Sequence, residues 1–328
     1  LEQLAADLAA RSTSRHAVVR GFDADVDALI PPSDDDQVLI ETLSHMRLVK
    51  DEFEIQQLQR AVDYTVAGFE DVIRALPEAI GRGERVIEGV FNLRARVEGN
   101  EVGYETIAAS GSHATILHWV QNNGTVQPGD LILLDAGVEC DYLYTADVTR
   151  TFPVNGKFST IQRKLYELVL RAQQAGIAAV RPGVKFSSIH EAAMRVLAEG
   201  LFEWGIIDVE PDVALRRDLQ PYRRYTLHGT SHMLGLDVHD CANARDEFYT
   251  GELQPGYVLT VEPGLYFQPN DLTVPEEFRG IGIRIEDDVL VTATGSHVLS
   301  AALPTHPDDI EEWMASVQGR GATNLGLS

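Results

Sequence analysis

One frame of residues occurs twice in this chain, and it constrains the fold more than any other feature. QPGDLILLDAG (127–137) and QPGYVLTVEPG (254–264) share a QPG turn, an apolar run, a carboxylate and a closing glycine. A short apolar run after a Pro-Gly turn is typical of a buried strand. Asp135 and Glu262 hold the same place in the two frames. The repeat therefore predicts two equivalent strands, each of which brings a carboxylate into the interior.

Two helices are predicted ahead of each frame. Apolar residues recur every three or four positions after Lys50, and a second helix is predicted near 84–97. The pattern returns at 161–172 and 189–197 before the second frame. A duplicated unit would leave this order. We therefore predict an α+β fold of two pseudo-symmetric α-α-β halves, which form one curved antiparallel sheet with the helices on its outer face.

Short β-like runs follow each helix pair. They are TIAAS, ATILHWV, LILLDAG and YLYTADVTRTF in the first half, and YTLHGT, YVLTVEPG and GIRIEDDVLVT in the second. The opening LEQLAADLAA has the periodicity of a helix, and PPSDDD (31–36) reads as a turn or linker. If the two halves face each other, Asp135 and Glu262 lie across a central cleft.

Composition narrows the class of partner. The 328 residues include 50 Asp and Glu against 27 Lys and Arg, a net charge of −23 that repels nucleic acid and anionic membranes. At 44% hydrophobic and 23% charged residues, the chain reads as a globular protein. Cys140 and Cys241 are its only cysteines. Two free thiols, without an apolar run of membrane-spanning length, predict a cytoplasmic location.

More polar residues point to the same cleft. Asp147 belongs to YTADVTRTF, whose β-branched residues favour a strand next to that of Asp135. In GIRIEDDVLVT, Arg284 and Glu286 share one face of a strand, an arrangement that a surface ion pair also gives. HGTSHMLGLDVHD (228–240) contains three histidines among apolar neighbours, which favours burial over a chance surface cluster. Its glycines argue against a helical metal pair.

Together these residues predict a metal centre. The candidate set contains four carboxylates and one imidazole: Asp135, Asp147, His232, Glu262 and Glu286. Carboxylates close together in a buried cleft need a counter-charge, and two divalent cations would cancel the charge of four. An oxygen-rich set with a single nitrogen suits Mn²⁺ better than a structural zinc, with Co²⁺, Zn²⁺ or Fe²⁺ as alternatives.

The stretches around these residues resemble a known family. ILHW, LLDAGVECDYLYTADVTRTFPVNGKFS, HGTSHMLGLDVHD, LTVEPGLYF and RGIGIRIEDDVLVT are similar to the metallopeptidases of the pita-bread (creatinase/aminopeptidase) fold. The resemblance is strongest to the branch of aminopeptidase P (Xaa-Pro aminopeptidase) and prolidase, and it covers about 49–299. It implies hydrolysis of the Xaa-Pro bond at the N-terminus of peptides by attack of a metal-bridging hydroxide.

The resemblance also implies a role for each site residue. Asp135 would bind one metal, His232 and Glu262 the other, and Asp147 and Glu286 both. Glu262 would in addition move a proton. Further positions match family residues that stabilise the tetrahedral intermediate, hold the substrate or orient the ligands: His118, His239, His228, Arg284 and Tyr266.

The resemblance implies a domain division and partners as well. We expect 1–48 to be the remnant of an N-terminal domain plus a linker, and 49–328 to be the catalytic metallopeptidase domain. The partners implied are peptides with proline at the second position, and a homodimer or homotetramer if the N-terminal domain is present. Two alternatives stay open: a prolidase that cleaves only Xaa-Pro dipeptides, and a non-catalytic peptide-binding protein on the same fold, whose relatives lose metal ligands.

Overall fold

The computed structural model of the chain describes residues 2–11 and 14–320, except for the side chains of 246 and 247. Residues 1, 12–13 and 321–328, which the predicted domains 1–48 and 49–328 include, lie outside the described residues. The helices are α1 Glu2–Ala10, α2 Ala24–Leu29, α3 Asp34–Met46, α4 Glu52–Ala79, α5 Glu84–Glu98, α6 Thr160–Ala179, α7 Ser187–Glu203, α8 Pro211–Ala214, α9 Arg245–Thr250 and α10 Pro307–Gly319. The pairs α4–α5 and α6–α7 are the four helices that the apolar periodicity predicts.

Helix α4 shows how local sequence sets its bounds. Asp51 caps its start by accepting a hydrogen bond from the Glu54 amide, while the Glu54 side chain accepts one from the Asp51 amide. Gly81, with φ of 93°, follows its end. One face of the helix is buried in the core, and burial of each large apolar side chain there contributes about 1.5–3 kcal/mol. That face includes Leu58, Val62, Phe69, Ile73 and Leu76.

Strands follow each helix pair and all pair antiparallel. They are β1 Glu101–Val102, β2 Ile107–Ser110, β3 Leu131–Ala136, β4 Val138–Glu139, β5 Val148–Pro153, β6 Val258–Val261, β7 Gly264–Phe267, β8 Ile281–Arg284, β9 Asp287–Val291 and β10 Ser296–Val298. The order is β2-β3-β5 in the first half and β10-β9-β6 in the second, with the smaller pairs β1-β4 and β7-β8. The two repeated frames therefore contain β3 and β6. β3 is the central strand of its sheet, and β6 is an edge strand that pairs with β9.

The halves meet where β5 runs beside the segment that joins β8 to β9. The Glu286 amide donates to the Thr149 carbonyl at 3.1 Å, and the Thr151 hydroxyl donates to the Arg284 carbonyl at 2.9 Å. The buried side chain of Arg150 reaches across to the Glu286 carbonyl at 2.6 Å. These contacts join the strands of the two halves at the centre of the molecule.

Three local predictions are wrong. In PPSDDD, the three aspartates are the first turn of α3, because Ser33 and Asp36 form a capping box. ATILHWV forms the end of a 3-10 helix and a loop rather than a strand, and YTLHGT forms an irregular loop. In GIRIEDDVLVT the strand is interrupted between Arg284 and Asp287, so Glu286 lies in a break rather than in a ladder. In the described part of the chain, no helix has both the length and the apolarity needed to cross a membrane.

Candidate metal centre

All five predicted metal ligands lie on the wall of one cavity of about 600 Å³. Asp135 is in β3, and Asp147 immediately precedes β5. His232 comes from the loop that connects α8 to α9, Glu262 follows β6, and Glu286 occupies the break between β8 and β9. Each half of the fold therefore contributes to the same wall.

Strand pairing brings these side chains together. In the first half, Asp135 in β3 lies opposite Thr149 in β5. In the second half, the segment that contains His232 runs beside β6: the Thr260 amide donates to the His232 carbonyl at 3.0 Å, and the Glu262 amide donates to the Thr230 carbonyl at 2.9 Å. His232 and Glu262 are consequently neighbours although 29 residues of chain lie between them.

The ligand set forms one continuous network. The Tyr104 hydroxyl lies 2.7 Å from Asp135 Oδ1 and 2.6 Å from Asp147 Oδ1. His232 Nε2 lies 3.2 Å from Asp147 Oδ2 and 3.5 Å from Glu262 Oε1. A phenol carries one proton and can donate to only one carboxylate at a time. The Tyr104 hydroxyl can therefore donate a hydrogen bond to Asp135 or to Asp147, but not to both at once.

Arg284 supplies fixed positive charge beside the network. Its buried guanidinium donates to Asp135 Oδ2, to the Tyr266 hydroxyl at 3.0 Å and to Thr149 Oγ1 at 3.1 Å. Thr149 Oγ1 in turn donates to Glu286 Oε2 at 2.6 Å. Arg284 thus orients Asp135 directly and Glu286 through Thr149.

Burial opposes the ionisation of Asp147, Glu262 and Glu286. It raises the pKa of Asp147 to about 6, against the hydrogen bond from His232. Burial and the charges of Asp147 and Glu262 raise the pKa of Glu286 well above its usual range. For Glu262 burial opposes ionisation too, but the hydrogen bond and charge of His228 outweigh it and lower its pKa to about 2. The cluster therefore cannot hold four negative charges without added positive charge.

His232 responds to the same charges in the opposite direction. Burial lowers its pKa, but the hydrogen bond to Asp147 and the charge of Glu262 outweigh burial and raise the pKa to about 9. Without a bound cation, protonated His232 offsets part of the negative charge of the carboxylates. Ligand atoms of Asp147, His232 and Glu286 all lie within 4.8 Å of one another. Two carboxylate oxygens and one imidazole nitrogen at this spacing fit a divalent cation.

The predicted histidines surround the ligands. His228 Nδ1 lies 3.2 Å from Glu262 Oε2, and its Nε2 lies 2.7 Å from the Tyr266 hydroxyl. His239 stacks edge-on against the His232 ring at 4.5 Å between centroids. Burial and the charge of His232 lower the pKa of His239. His118 lines the same cavity with an exposed side chain.

The other two predicted residues, Arg284 and Tyr266, differ in their exposure to the cavity. Arg284 lines the cavity, whereas Tyr266 is 1% exposed and lies behind it, in contact with His228 and Arg284. Sequence reasoning missed Tyr104 and Thr149. Thr149 had a signal, because Asp147, Thr149 and Thr151 alternate along one face of a strand-like run. Tyr104 had none, since it comes beside Asp135 through the pairing of β1 with β4 and of β2 with β3.

The two α-α-β halves and the carboxylate-rich cluster between them are typical of the pita-bread metalloproteins. The sequence model of a family described as "Metallopeptidase family M24" matches residues 56–293 of this chain. The chain is 60% identical over 306 residues to Xaa-Pro aminopeptidase 1 of Streptomyces coelicolor, a match that covers 92% of this chain and 62% of the relative. This chain belongs to metallopeptidase family M24. Membership of this family implies divalent metal ions as cofactors.

Solved structures agree with this assignment. A variant of Escherichia coli aminopeptidase P in complex with substrate superposes with a TM-score of 0.83 at 34% identity, over 92% of this chain and 71% of that one. A zinc-substituted aminopeptidase P of the same organism in complex with product has a TM-score of 0.82 at 35% identity, over 92% of this chain and 70% of that one. The predicted α+β pita-bread fold is therefore confirmed. The chain spans about 62% of the length of the Streptomyces relative.

Proposed function

We propose that this protein is a metallo-aminopeptidase that hydrolyses the Xaa-Pro bond at the N-terminus of peptides. The observation that carries the proposal is the convergence of Asp135, Asp147, His232, Glu262 and Glu286 on one cavity wall. The relatives named Xaa-Pro aminopeptidase support the choice of bond. A non-catalytic binding protein on this fold would not need the complete ligand set.

The proposed cofactor is a pair of divalent ions, with Mn²⁺ as the resident metal. Asp135 would hold one ion, His232 and Glu262 the other, and Asp147 and Glu286 would lie between them. The two oxygens of Asp147 support a bridging role, since Oδ1 faces the Asp135 side through Tyr104 and Oδ2 faces His232. When bound, such ions lower the pKa of a coordinated water and polarise the substrate carbonyl.

The chain's own residues handle the protons and the substrate. Glu262 stays ionised at neutral pH, and its carboxylate can accept a proton and pass it to the proline nitrogen that leaves. His239, with its lowered pKa, is a neutral donor for the carbonyl oxygen as negative charge develops there. His118 faces the same space. His228 lies between Glu262 and the Tyr266 hydroxyl and would border the proline ring of the substrate.

The remaining proposals concern organisation. Residues 49–328 would be the catalytic domain, and 1–48 would belong with a separate N-terminal domain. Helices α1 and α2 support this division because neither contributes a buried side chain. We propose a homodimer or homotetramer for a chain that has the N-terminal domain. Cys140 and Cys241 are free and buried, which supports a cytoplasmic location.

An assay of matched peptides with added Mn²⁺ tests the function. We expect release of the first residue from Xaa-Pro-Yaa, and much slower release from Xaa-Ala-Yaa. Cleavage of the Xaa-Pro dipeptide alone would replace the proposal by a prolidase. Lack of any cleavage, with less than about one tightly bound ion per chain, would support the binding-protein alternative.

A further inference from the structure

A second cavity of about 840 Å³ lies beside the metal centre. The two cavities share the residues of one loop segment and one residue of α9: His228, Gly229, Ser231 and Tyr249. The segment 228–231 therefore forms the border between them. His228, at this border, also contacts Glu262. A chain that leaves the metal centre past His228 enters the second cavity.

Charge distinguishes the second cavity from the first. The metal centre is lined by four carboxylates of the ligand set. The second cavity is lined by Arg195, Arg217 and Arg223 against one acid among the described side chains, Glu191. This basic lining occurs in a protein with a net charge of −23. Burial and the charges of His228 and Arg223 lower the pKa of His190 on the same wall. The pair of cavities is therefore acidic at one end and basic at the other.

Two of the arginines are available to a ligand. Arg195 pairs with Asp212 at 2.9 Å. Apart from the side chains of 246 and 247, which are not described, residues 2–11 and 14–320 place no carboxylate within 4.0 Å of Arg217 or Arg223. The buried Thr226 hydroxyl on the same wall also lacks a hydrogen-bond partner in this part of the chain. A buried hydroxyl without a partner is costly, so the site favours a polar ligand or ordered water.

We propose that the second cavity binds the segment after proline of a short peptide substrate, and that Arg217 and Arg223 bind its free C-terminal carboxylate. This inference rests on the proposed aminopeptidase function. A peptide has an ammonium at its N-terminus and a carboxylate at its C-terminus, which matches the acidic centre and the basic cavity in that order. Arginine is the side chain best suited to a carboxylate, because its fork of N–H donors can bind both oxygens.

The preference should depend on peptide length. An extended chain advances about 3.3–3.6 Å per residue, so only peptides of a suitable length can place the N-terminus at the metals and the carboxylate at the arginines together. Short free peptides are therefore the predicted substrate class. Longer polypeptides would leave the carboxylate beyond the cavity and gain nothing from it.

The test is a series of Xaa-Pro-(Ala)n peptides, n from 1 to 4, each made as free acid and as C-terminal amide. At the best length we expect kcat/KM for the acid to exceed that for the amide about 10-fold, equivalent to about 1.4 kcal/mol. The difference should lie in KM. Arg217→Gln and Arg223→Gln should reduce it, and Arg217→Lys should retain part of it. Higher salt should weaken it, since both arginines are exposed.

Arg216→Gln is the matched control, because Arg216 is exposed, pairs with Asp218 and does not line the cavity. Thermal unfolding of each variant checks that it is folded. Equal kcat/KM for acids and amides at every length would overturn the inference, as would an unchanged acid preference in the folded double variant. Either result leaves the proposed function intact if Xaa-Pro-Yaa is cleaved. Absence of cleavage of every peptide would overturn the function itself.

Discussion

Glu84 is a buried carboxylate whose hydrogen bonds hold the loop that carries His118. Its Oε1 accepts from the Ser110 amide and from His113 Nδ1, both at 2.8 Å. Its Oε2 accepts from Trp119 Nε1 at 2.8 Å and from the Gly124 amide at 2.7 Å. Four donors satisfy a carboxylate, and its position at the start of α5 adds the favourable field of the helix.

We predict that Glu84→Gln weakens both stability and catalysis. The amide presents N–H donors to donors, so about 1–3 kcal/mol of stability is lost. Trp119 then no longer fixes its neighbour His118, and kcat should fall more than KM rises. Thermal unfolding and steady-state kinetics measure the two effects. Glu88→Gln, one turn further along α5, is the control. A folded Glu84→Gln protein with the kcat of the parent would contradict the positioning role.

Glu262 gives the sharpest prediction for a single group of the centre. Glu262→Gln keeps the size but removes the charge and the basic oxygen. We expect kcat/KM to fall by at least about 10²–10⁴-fold, the range for loss of an acid/base group, with the fold retained. Glu277→Gln, exposed on a 3-10 turn, should match the parent. A fully active Glu262→Gln protein would place the chemistry elsewhere.

At the scale of elements, the closing glycine of the first repeated frame permits a close approach. A Cβ on Gly137 would overlap the Ala146 carbonyl, which is backbone and cannot move aside. Asp135 and Asp147 lie on either side of this contact in sequence. We predict that Gly137→Ala costs about 1–3 kcal/mol, as for other overpacked sites, and reduces metal binding. Urea unfolding and Mn²⁺ titration provide the measurement.

Gly89→Ala is the control for the glycine prediction. Gly89 lies in α5, and a Cβ there meets nothing within 4 Å. Alanine should therefore stabilise the protein by about 0.5–1 kcal/mol, since glycine is the poorer helix former. Equal stability of Gly137→Ala and the parent would show that β3 and the Ala146 segment can separate without loss.

Elements with a strong period were predictable, and those held by long-range contacts were not. The four long helices follow from apolar spacing, and β3 and β6 follow from the repeated frame. ATILHWV failed because tertiary hydrogen bonds override its β-propensity: Trp119 binds Glu84, and Asn122, at φ of 45°, binds the backbone of Thr106 and Ala108. No local sequence pattern predicts these hydrogen-bond partners.

The candidate site divides in the same way. That the five side chains line one cavity could be predicted, because carboxylates in apolar runs are costly unless they are paired or bind a cation. The contacts that orient the set could not be predicted in detail. Arg284 reaches Asp135 across the halves because β3 and β5 pack against β8, and Tyr104 lies between Asp135 and Asp147 because the segment before β2 runs beside β3. These partners become visible only once the two halves are packed together.

For the whole molecule, the metal centre joins two halves that each bring carboxylates to the same cleft. Asp147 carries a pKa raised by burial to about 6, above the value near 4 of an unfolded aspartate. Its ionised form is therefore disfavoured in the metal-free fold. The resulting loss of stability is absent below about pH 4, grows as the pH rises towards 6, and is complete above it. A bound cation reverses this, because it favours the ionised carboxylates.

We predict that removal of metal with a chelator at pH 8 lowers the melting temperature, and that Mn²⁺ restores it. At 100 times its dissociation constant, a bound ion adds about 2.7 kcal/mol, which corresponds to several degrees in a domain of this size. Asp147→Asn should shrink the shift, since one ligand is lost. Without metal, the same variant should be at least as stable as the parent at pH 8, and its advantage should disappear near pH 4. If neither the chelator nor Mn²⁺ changes the melting temperature of the parent protein, the packing of the two halves does not depend on a bound cation.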